Sequence, residues 1–426
     1  MVKIICLPWF GLEALMLLLA MAIVVVSDGG GGMFVSKHKF SEMNKKLKLL
    51  NRPAIKSIQS KDGDVIDCVD IYKQPALRNP ALRNHTIQMK PSYDPTEVTE
   101  HTKEKQNSST VMVPQIWHRS GSCPEGTVPI RRIKKRDLLR AESLDRFGRK
   151  NPTIANERRR NEYPYANKIN GSHHIKEKEN TAVLLTEGFR YSAAKADINI
   201  WNPGVEFDDE FSSAQIWLQN GAYNDYESVE SGWIVNPKVY GDRRTRLFAY
   251  WTADASHKTG CFDHTCPGFV QTSSLIALGS AFDPVSGSGT YQYTVTLFLH
   301  KDPDTGNWWL RYGTDVDIGY FPAELFRALR YQANFVQWGG QVYSSRVGNS
   351  PHTATAMGSG STERSEGWGC FMRQIRIRDN SFELKYPYFV DTYTDEYNCY
   401  HAFNFWEYTA DPEFFFGGPG RNPLCP

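Results

Sequence analysis

From residue 179 onward, apolar and polar side chains alternate in short runs, and this alternation is the strongest structural signal in the chain. Residues 191–201, 211–218, 245–252, 291–300 and 308–312 carry the two-residue period of strands with one buried face. Between them lie turn-forming clusters such as Asn202-Pro203-Gly204 and Asp302-Pro303-Asp304. Many short strands at near-regular spacing predict an antiparallel β-sandwich or a strongly curved pair of sheets. Nine of the eleven tryptophans fall in this part, which supplies a large apolar core. The N-terminal part has a different pattern. Residues 42–50 predict a short amphipathic helix that Pro53 ends, and residues 55–71 alternate around Lys61-Asp62-Gly63-Asp64 as a hairpin would. The fold expected is therefore all-β, an antiparallel β-sandwich C-terminal domain preceded by a small mixed segment.

Charge divides the chain at the same place. Residues 1–178 hold 31 Lys+Arg against 18 Asp+Glu, and residues 179–426 hold 18 against 29. A basic half followed by an acidic half suggests mutual attraction. At the N-terminus, Lys3 precedes an uninterrupted apolar run over 14–26. A run this short suits a secretory signal over 1–27 better than a membrane span, which needs roughly 20 residues. Secretion implies no stable membrane insertion after signal removal. It also implies disulfides, for which spacing suggests Cys261–Cys266, Cys399–Cys425 and Cys68–Cys123, leaving Cys370 a buried thiol. Sequons stand at Asn84, Asn107 and Asn170. The basic runs at 131–136 and 158–160 fit an exposed, cleavable linker in a secreted protein better than a nucleic-acid surface, and maturation is expected between Arg158 and Glu187. His173-His174 lacks a third ligand, so neither a metal nor a cofactor is expected.

Two strand-like segments carry the candidate chemistry. In the first, Ser228, Glu230 and Gly232 share one face; in the second, Gln337, Gly339 and Gln341 do. Glycines beside the polar residues suggest room for a peptide backbone, with Gly232, Gly339, Gly340 and Gln215 as candidates for lining a groove.

In their contexts these segments resemble the two active-site segments of the neprosin family, secreted glutamic peptidases best represented in plants. The resemblance extends through residues 194–203, Gln215-Ile216-Trp217, Tyr240-Gly241-Asp242, residues 250–254, Thr259-Gly260-Cys261, Lys301-Asp302-Pro303, Trp308-Trp309, residues 357–360 and residues 417–422. Residues 51–54, 84–91 and 122–130 likewise resemble the family's activation peptide. This implies an activation peptide over 28–140, a basic linker over 141–178 and a catalytic β-sandwich over 179–426. The implied activity is an endopeptidase acting in acid on proline-containing peptides, with its own prosegment as a partner and the cell wall, apoplast or vacuole as its location.

The family's reaction uses two facing glutamates that share a proton. Here Glu230 stands at the first position and Gln341 at the second. An amide shuttles no proton, but its N–H groups can stabilise an oxyanion. A second, fungal and bacterial type of glutamic peptidase works with a Gln/Glu pair, which would make Glu230 general base and then general acid. Two other readings stay open. One is a catalytically inactive relative that binds extracellular peptides or wall material, and the other is a structural or carbohydrate-binding wall protein.

Overall fold

The structure is a computed structural model that describes residues 23–24, 35–94, 115–152, 178–222, 224–405 and 411–426. Most of the expected signal, two sequons (Asn107 and Asn170) and the basic run at 158–160 lie outside the described residues. Two compact units divide the chain, 1–46 and 47–426. The first contains a short ladder of β1 (Ile23–Val24) with β2 (Val35–Ser36) and most of helix α1 (Lys37–Leu50). The helix begins five residues before the stretch read from the sequence.

The second unit opens with a three-stranded sheet in the order β3 (Ala54–Gln59), β4 (Val65–Asp70), β5 (Thr127–Arg131). Asp62 accepts the amide of Asp64 in the β3–β4 turn, and Gly63 takes φ +89°, a conformation that favours glycine. Short 3-10 turns lie between β4 and β5, and helix α2 (Lys135–Arg140) follows.

Two large antiparallel sheets make up the remainder. One runs β11 (Cys261–Phe262), β10 (Arg246–Thr252), β9 (Glu227–Val235), β8 (Phe211–Asn220), β16 (Ala333–Tyr343), β6 (Glu179–Tyr191), β19 (Asp391–Thr394). The other runs β12 (Val270–Gln271), β15 (Val316–Phe321), β14 (Trp308–Tyr312), β13 (Thr294–Lys301), β7 (Ala193–Asn199), β17 (Cys370–Arg378), β21 (Glu413–Gly417), β20 (His401–Phe405), with β18 (Leu384–Lys385) on β17. One apolar cluster joins them, with Ile216, Val229, Trp233 and Trp338 from the first sheet and Ile198, Leu297, Trp308 and Met372 from the second. This is an antiparallel β-sandwich. Alternation places these residues inward and leaves Ser213, Gln215, Ser228, Glu230 and Gln341 on the outer face of the seven-stranded sheet.

The N-terminal segment packs on the sandwich through buried polar side chains. Gln74 donates to Gln271 O (3.0 Å) and accepts from Gln271 N (2.8 Å); Gln115 does the same with Ala277. Asp64 meets the fully buried Arg246 at 2.5 Å. The expected attraction of a basic half for an acidic half is only part of what is found. Lys150–Glu230 and Arg119–Asp283 have that sense, but Asp62–Arg244, Asp64–Arg246, Asp94–Arg311 and Glu142–Lys238 have the reverse. Local pairing, not net charge, sets the contacts. Cys68–Cys123, Cys261–Cys266 and Cys399–Cys425 are bonded, and Cys370 is a buried thiol whose titration burial pushes up. Asn84 is exposed, as a glycan acceptor would be.

Candidate active site

The outer face of the seven-stranded sheet carries a polar strip between two apolar patches. On one side lie Phe211, Ile234, Phe248, Tyr250, Phe262 and Tyr343; on the other lie Val183, Leu185 and Trp217. Gln215 occupies the middle strand of the strip, in register with Gly232 on β9 and Gly339 on β16. A Cβ at Gly232 would lie 2.0 Å from Ala214 O, and one at Gly339, where φ is +148°, would lie 2.2 Å from Ala182 O. Gly232 therefore lets β9 close on Gln215, and Gly339 lets β16 close on β6. Gly340 does not belong to the groove. Its Cβ would meet Met357 Sδ at 2.5 Å and Phe416 at 2.9 Å, because alternation turns position 340 toward the inter-sheet core.

Glu230 is 1% exposed, and its carboxylate is held on several sides. Gln215 Nε2 donates to Oε2 at 2.6 Å, and Ser228 Oγ donates to Oε1 at 2.8 Å. Gln215 is itself fixed by Ser213 Oγ, which donates to its Oε1 at 2.8 Å. A buried carboxylate needs such donors to remain in place.

A third donor comes from a segment read in the sequence as linker. Lys150 Nζ lies 2.5 Å from Glu230 Oε2 and 3.1 Å from Gln341 Oε1, and only 6% of the lysine is exposed. The ring of Tyr250 faces the same ammonium, its centroid 4.8 Å away. Burial pushes the Tyr250 titration up, so it stays a neutral phenol, hydrogen-bonded to Ser256 Oγ at 2.7 Å. Glu230 and Gln341 lie on strands separated by β8, yet their side chains converge within bonding reach of one nitrogen.

The orientation of the Gln341 amide follows from its partners. A lysine ammonium only donates, so it faces Oε1; Glu179 Oε2, an acceptor, takes Nε2 at 3.1 Å. Gln341 thus presents an oxygen to the groove. Glu179 is the first residue of β6, opposite Tyr343 in register.

Residues 146–151 seat the lysine. Gly148 O accepts from Phe262 N at 2.8 Å, Arg146 donates to Lys150 O at 3.0 Å, and Asn151 Nδ2 bonds Tyr343 OH. Gly148 has φ +73°, and a Cβ there would fall 2.0 Å from Thr265 Oγ1, so only glycine fits. Lys150, Glu179 and Tyr250 were not singled out from the sequence. For Lys150 the one signal was a glycine inside the basic stretch Arg146-Phe147-Gly148-Arg149-Lys150, and Glu179 and Tyr250 had none. The only three-residue group with metal-ligand spacing among the described residues is His352 with Cys399 and Cys425, and both cysteines are spent in a disulfide.

Two family models match the chain. Neprosin covers residues 208–419, which include Glu230 and Gln341, and Neprosin activation peptide covers residues 57–177, which include Lys150. Among solved structures, scytalido-glutamic peptidase with a transition state analog inhibitor aligns at 9% identity over 55% of this chain and 97% of that one, with a TM-score of 0.32. The same peptidase with a peptide-based transition state analog aligns at 10% identity over 58% and 100%, TM-score 0.30. SCP-B, a member of the Eqolisin family of peptidases in complex with the tripeptide Ala-Ile-His, aligns at 9% identity over 57% and 98%, TM-score 0.29.

Proposed function

This chain belongs to the neprosin family, and on that premise we propose that it is the latent precursor of a secreted glutamic endopeptidase acting on proline-containing peptides in acid. The observation that carries the reading is a buried carboxylate, Glu230, at the centre of a polar strip and covered by the chain's own Lys150. With the lysine displaced, Glu230 is the base that takes a proton from water attacking the scissile carbonyl, and it later returns that proton to the leaving amine. Gln341 supplies a hydrogen bond but no proton, so the full acid/base duty falls on one carboxylate. The cell wall or apoplast is the location this reading implies, with the vacuole as the alternative compartment.

The test is a set of full-length variants assayed on a proline-containing peptide across pH. Lys150→Ala is expected to raise cleavage at least tenfold over the unaltered precursor. Lys150→Ala with Glu230→Gln should cleave nothing. Adding Gln341→Glu to Lys150→Ala should increase the rate further and move its optimum to lower pH, since one carboxyl of the pair must then be protonated. An inert Lys150→Ala that stays inert with Gln341→Glu overturns the reading.

A specific observation favours a second reading. Glu179 holds the Gln341 amide with its oxygen toward the groove, an orientation suited to accept from a ligand rather than to stabilise an oxyanion. A relative that binds peptides without cutting them fits this arrangement.

A further inference from the structure

We propose that the Glu230–Gln341 site is a receptor for a primary ammonium, and that once Lys150 withdraws it takes the side chain of a lysine from another protein or peptide. The proposal rests on the reading that these two residues form the working site of the groove, but not on any cleavage there.

The site matches an ammonium in three separate respects. First, it offers one ionisable carboxylate and one neutral acceptor, Glu230 Oε2 and Gln341 Oε1, both aimed at the same point in space, where Lys150 Nζ stands. A glutamate at 341 would have placed two acids around a single positive charge. The amide leaves one charge for one charge while keeping the second acceptor. Second, the aromatic face of Tyr250 closes the remaining side at 4.8 Å, in cation–π range. Third, Glu179 locks the amide so that its oxygen, not its nitrogen, faces the ligand. Glu179 is here a positioning residue, acting through Gln341.

The same geometry disfavours arginine. A guanidinium prefers both oxygens of one carboxylate in a fork. Ser228 occupies Glu230 Oε1 and Gln215 already shares Oε2, so no free carboxylate edge faces the groove. The two acceptors come instead from different residues on strands two apart, which a compact ammonium with three rotatable donors can satisfy.

The experiment empties the site in the full-length chain with Lys150→Ala and titrates it with n-butylammonium, which has the length and charge of the missing lysine end. Binding is read by calorimetry and by the rise in thermal midpoint, at constant ionic strength. Lys150→Ala should bind saturably, and the unaltered protein, whose own lysine fills the site, should not. Adding Glu230→Gln should weaken binding at least tenfold, and adding Glu179→Gln severalfold, as Gln341 loses its fixed orientation. n-Butylguanidinium should bind at least tenfold more weakly than n-butylammonium. Equal binding of n-butanol, equal binding by the unaltered chain, or indifference to Glu230→Gln overturns the proposal. If Lys150→Ala does not fold, acetylation of lysines in the unaltered protein decides it by mass spectrometry. Lys150 should be among the slowest to react, and Glu230→Gln should speed it at least tenfold; no change overturns the proposal. Cleavage of the proline peptide, assayed in the same samples, separates the two readings. Binding without cleavage removes the peptidase, whereas cleavage that n-butylammonium neither inhibits nor occupies removes the ammonium site.

Discussion

Residues 54–94 and 115–131 hold to the sandwich through many buried side chains, whereas residues 146–151 hold to it through the Lys150 ammonium, the Asn151 amide on Tyr343 and a few backbone contacts. In the first region, Gln74 and Gln115 each make reciprocal hydrogen bonds with a buried backbone, and Asp64 neutralises an arginine with no exposed surface. Trp117 adds an apolar anchor in a cluster with Ala277. In the second region, Lys150 reaches a site whose other members already satisfy one another: Ser213, Gln215, Ser228 and Glu230 form a closed set of hydrogen bonds without it. The difference separates two duties of one prosegment. Its body completes the fold, and its tail behaves as a ligand.

This contrast predicts unequal costs. The largest effect belongs to Arg246→Ala, which strands Asp64 and Asp242 and should cost about 3–5 kcal/mol, as breaking a buried pair does. Chemical denaturation measures it, and a loss below about 1 kcal/mol would show that the body is not integral to the fold.

The second expectation concerns pH at the junction of body and sandwich. His264 donates to Gln271, the partner of Gln74, and burial lowers its pKa to about 4. A histidine depressed in the fold contributes stability above its unfolded value of 6.5 that is lost as pH falls toward 4, here about 3 kcal/mol. Its neighbour Asp263 has the opposite sign. Burial raises that carboxyl from 3.8 to about 7, so its contribution is greatest below 3.8 and is lost as pH rises to 7. Between pH 7 and 4 these two contributions oppose each other. In His264→Gln the histidine's share disappears, so stability should rise on acidification by about 3 kcal/mol relative to the unaltered protein. A parallel pair of pH curves would refute the assignment.

The smallest effect on stability, and the sharpest on the tail, is expected of Gly148→Ala. The added methyl collides with Thr265 and unseats the lysine while leaving the body untouched. The global cost should stay below about 2 kcal/mol, since the segment can peel away. Limited proteolysis should then cut within residues 146–151, and a chain that resists cutting there would mean the tail is as fixed as the body.

Much of this organisation was legible in the sequence. Strands 191–201, 211–218, 245–252, 291–300 and 308–312 emerge at or near their observed bounds because Gly, Pro, Asn and Asp interrupt them and their apolar residues keep the two-residue period. Glu230 and Gln341 fall on one face for the same reason. Gly340 was misplaced because glycine gives no alternation signal of its own, and only the register of Trp338 and Val342 assigns it to the core. Lys150 stayed hidden for a deeper reason. Lys150 lies in a segment with no period, its partner is 80 residues away, and apart from Gly148 the local sequence does not distinguish a lysine that enters a site from one that stays in water. Glu179 was hidden by its place at the very start of a strand, where polar residues ordinarily mark an edge.

Gln341 also bears on how such a protein changes over generations. Glutamine and glutamate have the same shape, and their codons differ in one base. The strip that would receive a second carboxylate, from Ser213 through Gln215 to Glu230, is already built and bonded. A lineage carrying this fold therefore stands one nucleotide from the two-acid form, in which only Glu179, now facing an oxygen instead of an N–H, has to turn away or hold a proton. Cutting and holding would then be neighbouring states in sequence space, and loss or recovery of activity could recur many times on the same scaffold.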